Sequence, residues 1–114
     1  MTLAITPTSA TNRLRISVVC QLHCSAAIYI VTALFQDSTA NALAAGTVYP
    51  GLATQIPALI TLKYTMTAGT TSATTFKVRG GSNVAGTTTF NGSGGAGLFN
   101  GTFFSSIIIT ETTS

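Results

Sequence analysis

Between residues 13 and 24 the chain changes polarity at almost every step. Leu14, Ile16, Val18, Cys20, Leu22 and Cys24 alternate with Arg13, Arg15, Ser17, Gln21 and His23, and Val19 alone breaks the polar set. A period of two places every apolar side chain on one side of an extended strand and leaves the other side to water. This run is therefore a half-buried strand. The pattern recurs where Ala58, Ile60, Leu62, Tyr64 and Met66 alternate with Thr61, Lys63, Thr65 and Thr67, and again where Phe76 and Val78 alternate with Thr75, Lys77 and Arg79. A last strand over residues 102–110 sets Ile107 and Ile109 on one face, Phe104 and Ile108 on the other. β-Branched residues dominate these runs and pack well on a pleated surface.

Glycine and asparagine punctuate the strands at Ala68-Gly69, Gly80-Gly81-Ser82-Asn83, residues 91–97 and Asn100-Gly101. Asn-Gly steps of this kind are strong hairpin signals. Short strands divided by such turns predict an all-β antiparallel sandwich or jelly roll, and 114 residues suffice for a single domain over 1–114. Residues 26–35 depart from the rule. Ala26, Ile28, Ile30 and Leu34 make one face, Ala27, Tyr29, Val31, Ala33 and Phe35 the other, and both are apolar. Such a strand needs a cover on each side, from a loop or from a neighbouring subunit. Residues 40–45 could instead form a helical turn or two, stopped by Gly46 and Pro50.

Charge narrows the function classes. Only 6% of residues are charged, against roughly 25% in an ordinary soluble domain. Copies of the chain covering one another would account for so bare a surface. The net charge of +3 comes from Arg13, Arg15, Lys63, Lys77 and Arg79, spread over separate segments without interleaved aromatics, so nucleic acid is not an expected partner. The apolar stretch 26–35 falls far short of the ~20 residues a spanning helix needs, and we expect no membrane insertion. No basic start followed by an apolar block marks a secretory leader. Strand-like sequence directly after Met1 leads us to expect a fragment of a longer chain.

Catalytic chemistry has little to work with. Asp37 and Glu111 are the whole acidic complement, and a glycosidase would need both of them facing one sugar ring. Ser and Thr are abundant, but the sole histidine, His23, has no evident orienting partner to make it a base. His23 reads as a surface or interface imidazole; a ring of three around a threefold axis is the one metal or anion site it could form. Cys20 and Cys24 lie on one face of one strand, ~13 Å apart at ~3.3 Å per residue, beyond disulfide reach. They read as small buried apolar residues. The glycine-rich residues 92–97 lack a following helix and a lysine, so they are no phosphate cradle. The sequons Asn91-Gly92-Ser93 and Asn100-Gly101-Thr102 read as turn chemistry. We expect no enzyme, catalytic residue, metal or cofactor.

Three stretches resemble the C-terminal domains of bacteriophage tail fibres and tail spikes. They are Thr6-Pro7-Thr8-Ser9-Ala10-Thr11 leading into Leu14-Arg15-Ile16, then Gln36-Asp37-Ser38-Thr39-Ala40-Asn41-Ala42, then the run from Ala68-Gly69-Thr70-Thr71 to Glu111. Within the last, Thr75-Phe76-Lys77-Val78-Arg79-Gly80-Gly81, Thr89-Phe90-Asn91-Gly92, Leu98-Phe99, Gly101 and Ser105-Ser106-Ile107-Ile108-Ile109-Thr110-Glu111 follow the family pattern in order. Residues 20–24 and 48–57 fall outside it. Such domains resemble the trimeric jelly rolls of the complement and tumour-necrosis-factor superfamily. The resemblance implies a homotrimeric virion domain at the tip of a fibre or spike, extracellular when acting. Its role would be trimerisation, attachment to a bacterial surface glycan or outer-membrane protein, or both. Receptor contact is expected from loops 47–54 and 93–97, with Tyr49, Asn91, Ser93, Phe99 and Asn100 as the candidate residues. The alternatives are a pure assembly cap without receptor contact and a solitary carbohydrate-binding module.

Overall fold

The computed structural model describes residues 1–25, 29–49 and 57–114. Their strands are β1 (Thr2–Ile5), β2 (Arg13–Cys24), β3 (Ile30–Gln36), β4 (Ala44–Val48), β5 (Ala58–Thr67), β6 (Thr74–Ser82), β7 (Thr88–Phe90), β8 (Gly92–Ser93), β9 (Ala96–Gly97) and β10 (Ser106–Thr112). Among the described residues the only helical piece is a 3-10 turn at Phe99–Gly101. Every strand pairing is antiparallel.

Two sheets make a sandwich. Sheet A runs β1-β6-β3-β4 and sheet B runs β10-β2-β5, with β7 continuing the β10 side of β2 at Leu22–Cys24. The pairs β1–β6, β2–β5 and β3–β4 are nested and alternate between the two sheets. That is the rolled ribbon of a jelly roll, shortened from four pairs to three. β10 then joins the outside of β2 and completes sheet B.

The alternation on β2 explains why the sheets face each other as they do. Leu14, Ile16, Val18, Cys20 and Leu22 are all buried, meeting Ile60 and Leu62 of β5 and Ile30, Leu34, Phe76 and Val78 of sheet A. Cys20 and Cys24 are both buried and neither is in a disulfide, as the strand spacing requires. Burial pushes the Cys20 thiol up, so it remains protonated and packs as a small apolar group. At Gly80 sheet A comes close to β2 and β7. A Cβ there would sit 2.7 Å from Leu22 and 2.8 Å from Phe90.

Four expectations change at this level. The glycine break at residues 80–83 is strand as far as Ser82, because Gly80 and Gly81 pair with Thr32 and Val31 of β3. The last strand starts at Ser106, after a stretch in which Gln21 bonds to Ser105 and Phe104, so its first residues are tied by side chains instead of a ladder. No helical turn forms at 40–45; Ala44 and Ala45 belong to β4 and pair with Leu34 and Ala33. His23 is 4% exposed, not a surface imidazole. Its cross-strand partner Thr89 accepts a hydrogen bond from the Gly95 N–H in the β8–β9 hairpin, which folds over this end of sheet B. An imidazole covered by its own chain is not available to a ring around a symmetry axis.

The two-faced apolar strand resolves in part. Ile30, Thr32 and Leu34 are buried in the sandwich, and Val31, Ala33 and Phe35 on the other face are half-buried. Residues 26–28 of that stretch lie outside the described residues, as do 50–54 of the expected loop 47–54.

Candidate functional site

The candidate loop residues divide into two kinds. Asn91 is a structural anchor. It adopts φ 59°, its N–H donates to the Gln21 carbonyl at 2.8 Å, and its carbonyl accepts from the Leu98 N–H at 3.1 Å. Its side-chain oxygen accepts from the Ser105 hydroxyl at 2.7 Å, while Ser105 Oγ accepts from the Gln21 N–H at 3.0 Å. Ser93 is half-buried and pairs with Ala96 in the β8–β9 hairpin. That hairpin is so narrow that a Cβ on Gly92 would lie 1.9 Å from the Ala96 carbonyl oxygen. Asn-Gly at 91–92 is thus turn chemistry, with asparagine supplying the left-handed residue and glycine the close approach.

Tyr49, Phe99 and Asn100 face water. Tyr49 is 55% exposed and packs its ring 5.5 Å from that of Tyr29, itself 51% exposed, so two tyrosines share one end of sheet A. Phe99 is 70% exposed and leans edge-on against Phe103 at 5.7 Å. Phe99 and Asn100 both have positive φ inside the 3-10 turn, which holds the Phe99 ring outward. The structure does not gather these residues with Asn91 and Ser93 into one pocket.

Two surfaces that sequence reasoning missed are better formed. The first is the outer face of sheet B. Strand alternation sends Arg13, Arg15, Ser17, Val19 and Gln21 of β2 outward, and register fixes their neighbours. Ile108 stands opposite Ser17, Val19 opposite Ser106 and Thr61, Leu59 opposite Gln21. Ile108, Val19 and Leu59 therefore form a diagonal across three adjacent strands, at the spacing where large side chains still meet. Ile108 and Leu59 are 58% and 60% exposed. Phe104, also exposed, lies at the same end, where its carbonyl accepts from the Gln21 side-chain amide at 3.2 Å. The opposite end of the face carries Arg13 and Arg15, and Lys63 stands opposite Ser17, in the same row as Ile108.

The second surface is a cleft on the outer side of sheet A, about 190 Å³ in volume, lined by Phe35, Asp37, Ser38, Thr39, Ala40, Lys77 and Arg79. Register builds it. Phe35 of β3 pairs with Lys77 of β6 and Ala33 with Arg79, so both cations lie on the same face of the sheet as Phe35. The Arg79 guanidinium lies 5.7 Å from the ring centroid, within cation–π range. The turn after β3 closes the far side. Asp37 takes φ 49° and its N–H donates to the Thr75 carbonyl at 2.8 Å. Its carboxylate accepts from the Thr75 N–H and from the Thr74 hydroxyl, each at 2.8 Å. Those two donors, the backbone one first, hold the carboxyl below its usual range, with a smaller contribution from Lys77. Asp37 is ionised at neutral pH and its oxygens are already engaged.

A hint of this cleft existed in the sequence, since Lys77 and Arg79 two apart on a strand must share a face. The pairing of β3 with β6, which brings the Asp37 turn beside them, is long-range and invisible in a single sequence. Among the described residues no group of three or more His, Cys, Asp and Glu side chains is placed to hold a metal ion. No family model matches the chain, and no curated protein matches it either.

Proposed function

We propose that this chain is a non-enzymatic structural domain of a virion, at the tip of a phage tail fibre or spike, which assembles as a homotrimer and attaches the particle to its host. The observation that carries this reading is the outer face of sheet B. Leu59, Val19 and Ile108 stand diagonally across three strands of this face with Phe104 exposed at the same end, and Lys63 is the one charge set among them. A second copy of the chain supplies the cover that both the patch and the low charge content call for. The resemblance of residues 68–111 to fibre and spike tips supports a trimer as that assembly.

The test is the mass of the native particle, by light scattering behind a sizing column. The expected result is a species near three times 11.6 kDa. Leu59→Glu and Ile108→Glu place a charge on an exposed strand position and leave the sandwich interior untouched, so each should give a folded monomer. A wild-type chain that remains a monomer at high concentration contradicts the proposal. A solitary carbohydrate-binding module, which the sheet A cleft favours, then becomes the better reading. A trimer that binds no surface component of a bacterium leaves the assembly cap.

A further inference from the structure

We infer that the cleft between Phe35, the turn at residues 37–40, Lys77 and Arg79 is a binding site for a sugar ring that carries an anionic group. This deepens the attachment reading by naming the chemical class the tip would take from a surface glycan.

The argument starts from charge. Among the described residues no lysine or arginine head group is engaged in an ion pair or a side-chain hydrogen bond. Lys77 and Arg79 therefore bring to one wall of the cleft two cations without a salt-bridge partner, although Arg79 lies over the Phe35 ring and Lys77 is near enough to Asp37 to help lower its carboxyl. Asp37 offsets one of them in net charge, but its oxygens are turned to Thr74 and Thr75. The cleft is left with a net positive wall whose N–H donors have no carboxylate or side-chain acceptor, a setting that selects a carboxylate or phosphate. Arg79 lies along the Phe35 ring, which limits its rotamers and reduces the ordering cost of binding.

Shape and polarity select what carries the anion. The Phe35 ring gives the cleft an apolar wall of the kind that meets the C–H face of a pyranose. Ser38 and Thr39 also line the cleft, and a hydroxyl there can donate to or accept from ring hydroxyls. A volume of about 190 Å³ suits one sugar ring and is too small for a nucleotide's base and phosphate together. A single aromatic wall, two cations and two hydroxyls match one acidic sugar residue, either the terminus of a chain or a branch. Carboxylate and phosphate sugars share this chemistry.

Four ligands tested on the intact wild-type protein separate the terms: glucuronate, glucose 1-phosphate, glucose and acetate. Backbone amide shifts of Phe35, Ser38, Lys77 and Arg79 would be followed by NMR titration. One or both anionic sugars should shift these amides saturably, at least tenfold more tightly than glucose or acetate. Which of the two binds better assigns the anion as carboxylate or phosphate. Arg79→Gln and Lys77→Gln should each weaken binding about tenfold. Arg79 is exposed, so its variant keeps the test decisive even where Lys77→Gln fails to fold. Equal binding of glucose, equal binding of acetate, no saturable shift, or shifts unaffected by Arg79→Gln would each overturn the site. Such a failure beside a measured trimer removes the cleft and leaves the assembly reading standing, whereas sugar binding by a monomer does the reverse.

Discussion

Asp37 and Glu111, the two carboxylates of the chain, serve the fold at separate places. Asp37 fastens the β3–β4 turn to the start of β6. Glu111 fastens β10 to the segment between β1 and β2, since one of its oxygens accepts from the Thr8 N–H, the Thr8 hydroxyl and the Asn12 side-chain amide at 2.7–2.8 Å. The Asn12 amide and the Thr8 hydroxyl hold Glu111 below its usual range, as Thr75 and Thr74 hold Asp37. Both groups thus have lower pKa values folded than unfolded, and at acidic pH the unfolded chain binds more protons. The stability they contribute is complete above the ordinary carboxylate range of about 4, and it is lost as pH falls through the depressed folded values. Because both side chains meet solvent, the effect is modest. The melting temperature should be level between pH 5 and 7 and decline below about pH 4, with a shallower decline in Glu111→Gln. Melting curves over that range, followed by circular dichroism, check this. A melting temperature that rises on acidification would show that these contacts do not stabilise the native chain.

At the scale of elements, β10 shows how much work a strand's two faces do separately. Ile107 and Ile109 pack against the core, while Ile108 between them points into water. Truncating Ile109 removes partly buried surface and should cost about 2 kcal/mol of folding stability, the low end for an apolar core truncation. Truncating Ile108 should change folding stability by less than about 0.5 kcal/mol, as for other surface positions. Both are measured by urea unfolding in the Leu59→Glu background, where subunit association does not enter. In the wild-type background Ile108→Ala should instead weaken the assembly. The periods of β2, β5 and β6 were readable because each has one wet face and one dry one. β4 and β7 were not. Ala44–Val48 and Thr88–Phe90 are too short and too rich in small or hydroxyl side chains to show a period, and they are strands because β3 and β2 supply partners. The same limit hid the cleft. Sequence placed Lys77, Arg79 and Asp37 on a strand and in a turn, but only the β3–β6 register sets them side by side. His23 misled for a related reason: its polar face is covered by a hairpin that alternation along β2 cannot foresee.

For the whole molecule, topology dictates the order in which surfaces come into being. Among the described residues, only β3–β4 and the small β8–β9 hairpin join strands that are neighbours in sequence. β1 must find β6, with Thr2 against Lys77, and β10 must find β2, with Ser106 against Val19. Pairings this distant require large loops to close before any contact repays them, and all-β domains of this kind fold in roughly milliseconds to seconds. The apolar diagonal on sheet B is assembled late for the same reason. Leu59 comes from β5, Val19 from β2 and Ile108 from β10, so no part of the unfolded chain presents the patch. In the proposed assembly, association through that face must therefore follow folding of the protomer. Stopped-flow refolding should show a first phase in the millisecond-to-second range whose rate does not depend on protein concentration. A slower phase, scaling with concentration, should follow and should be missing in Leu59→Glu. Fluorescence of the chain's tyrosines reports the first, since Tyr64 packs against the core from β5, and light scattering reports the second. If the first phase itself accelerated with concentration, the protomer would be folding on its partner, and the diagonal on sheet B would be a product of assembly instead of its template.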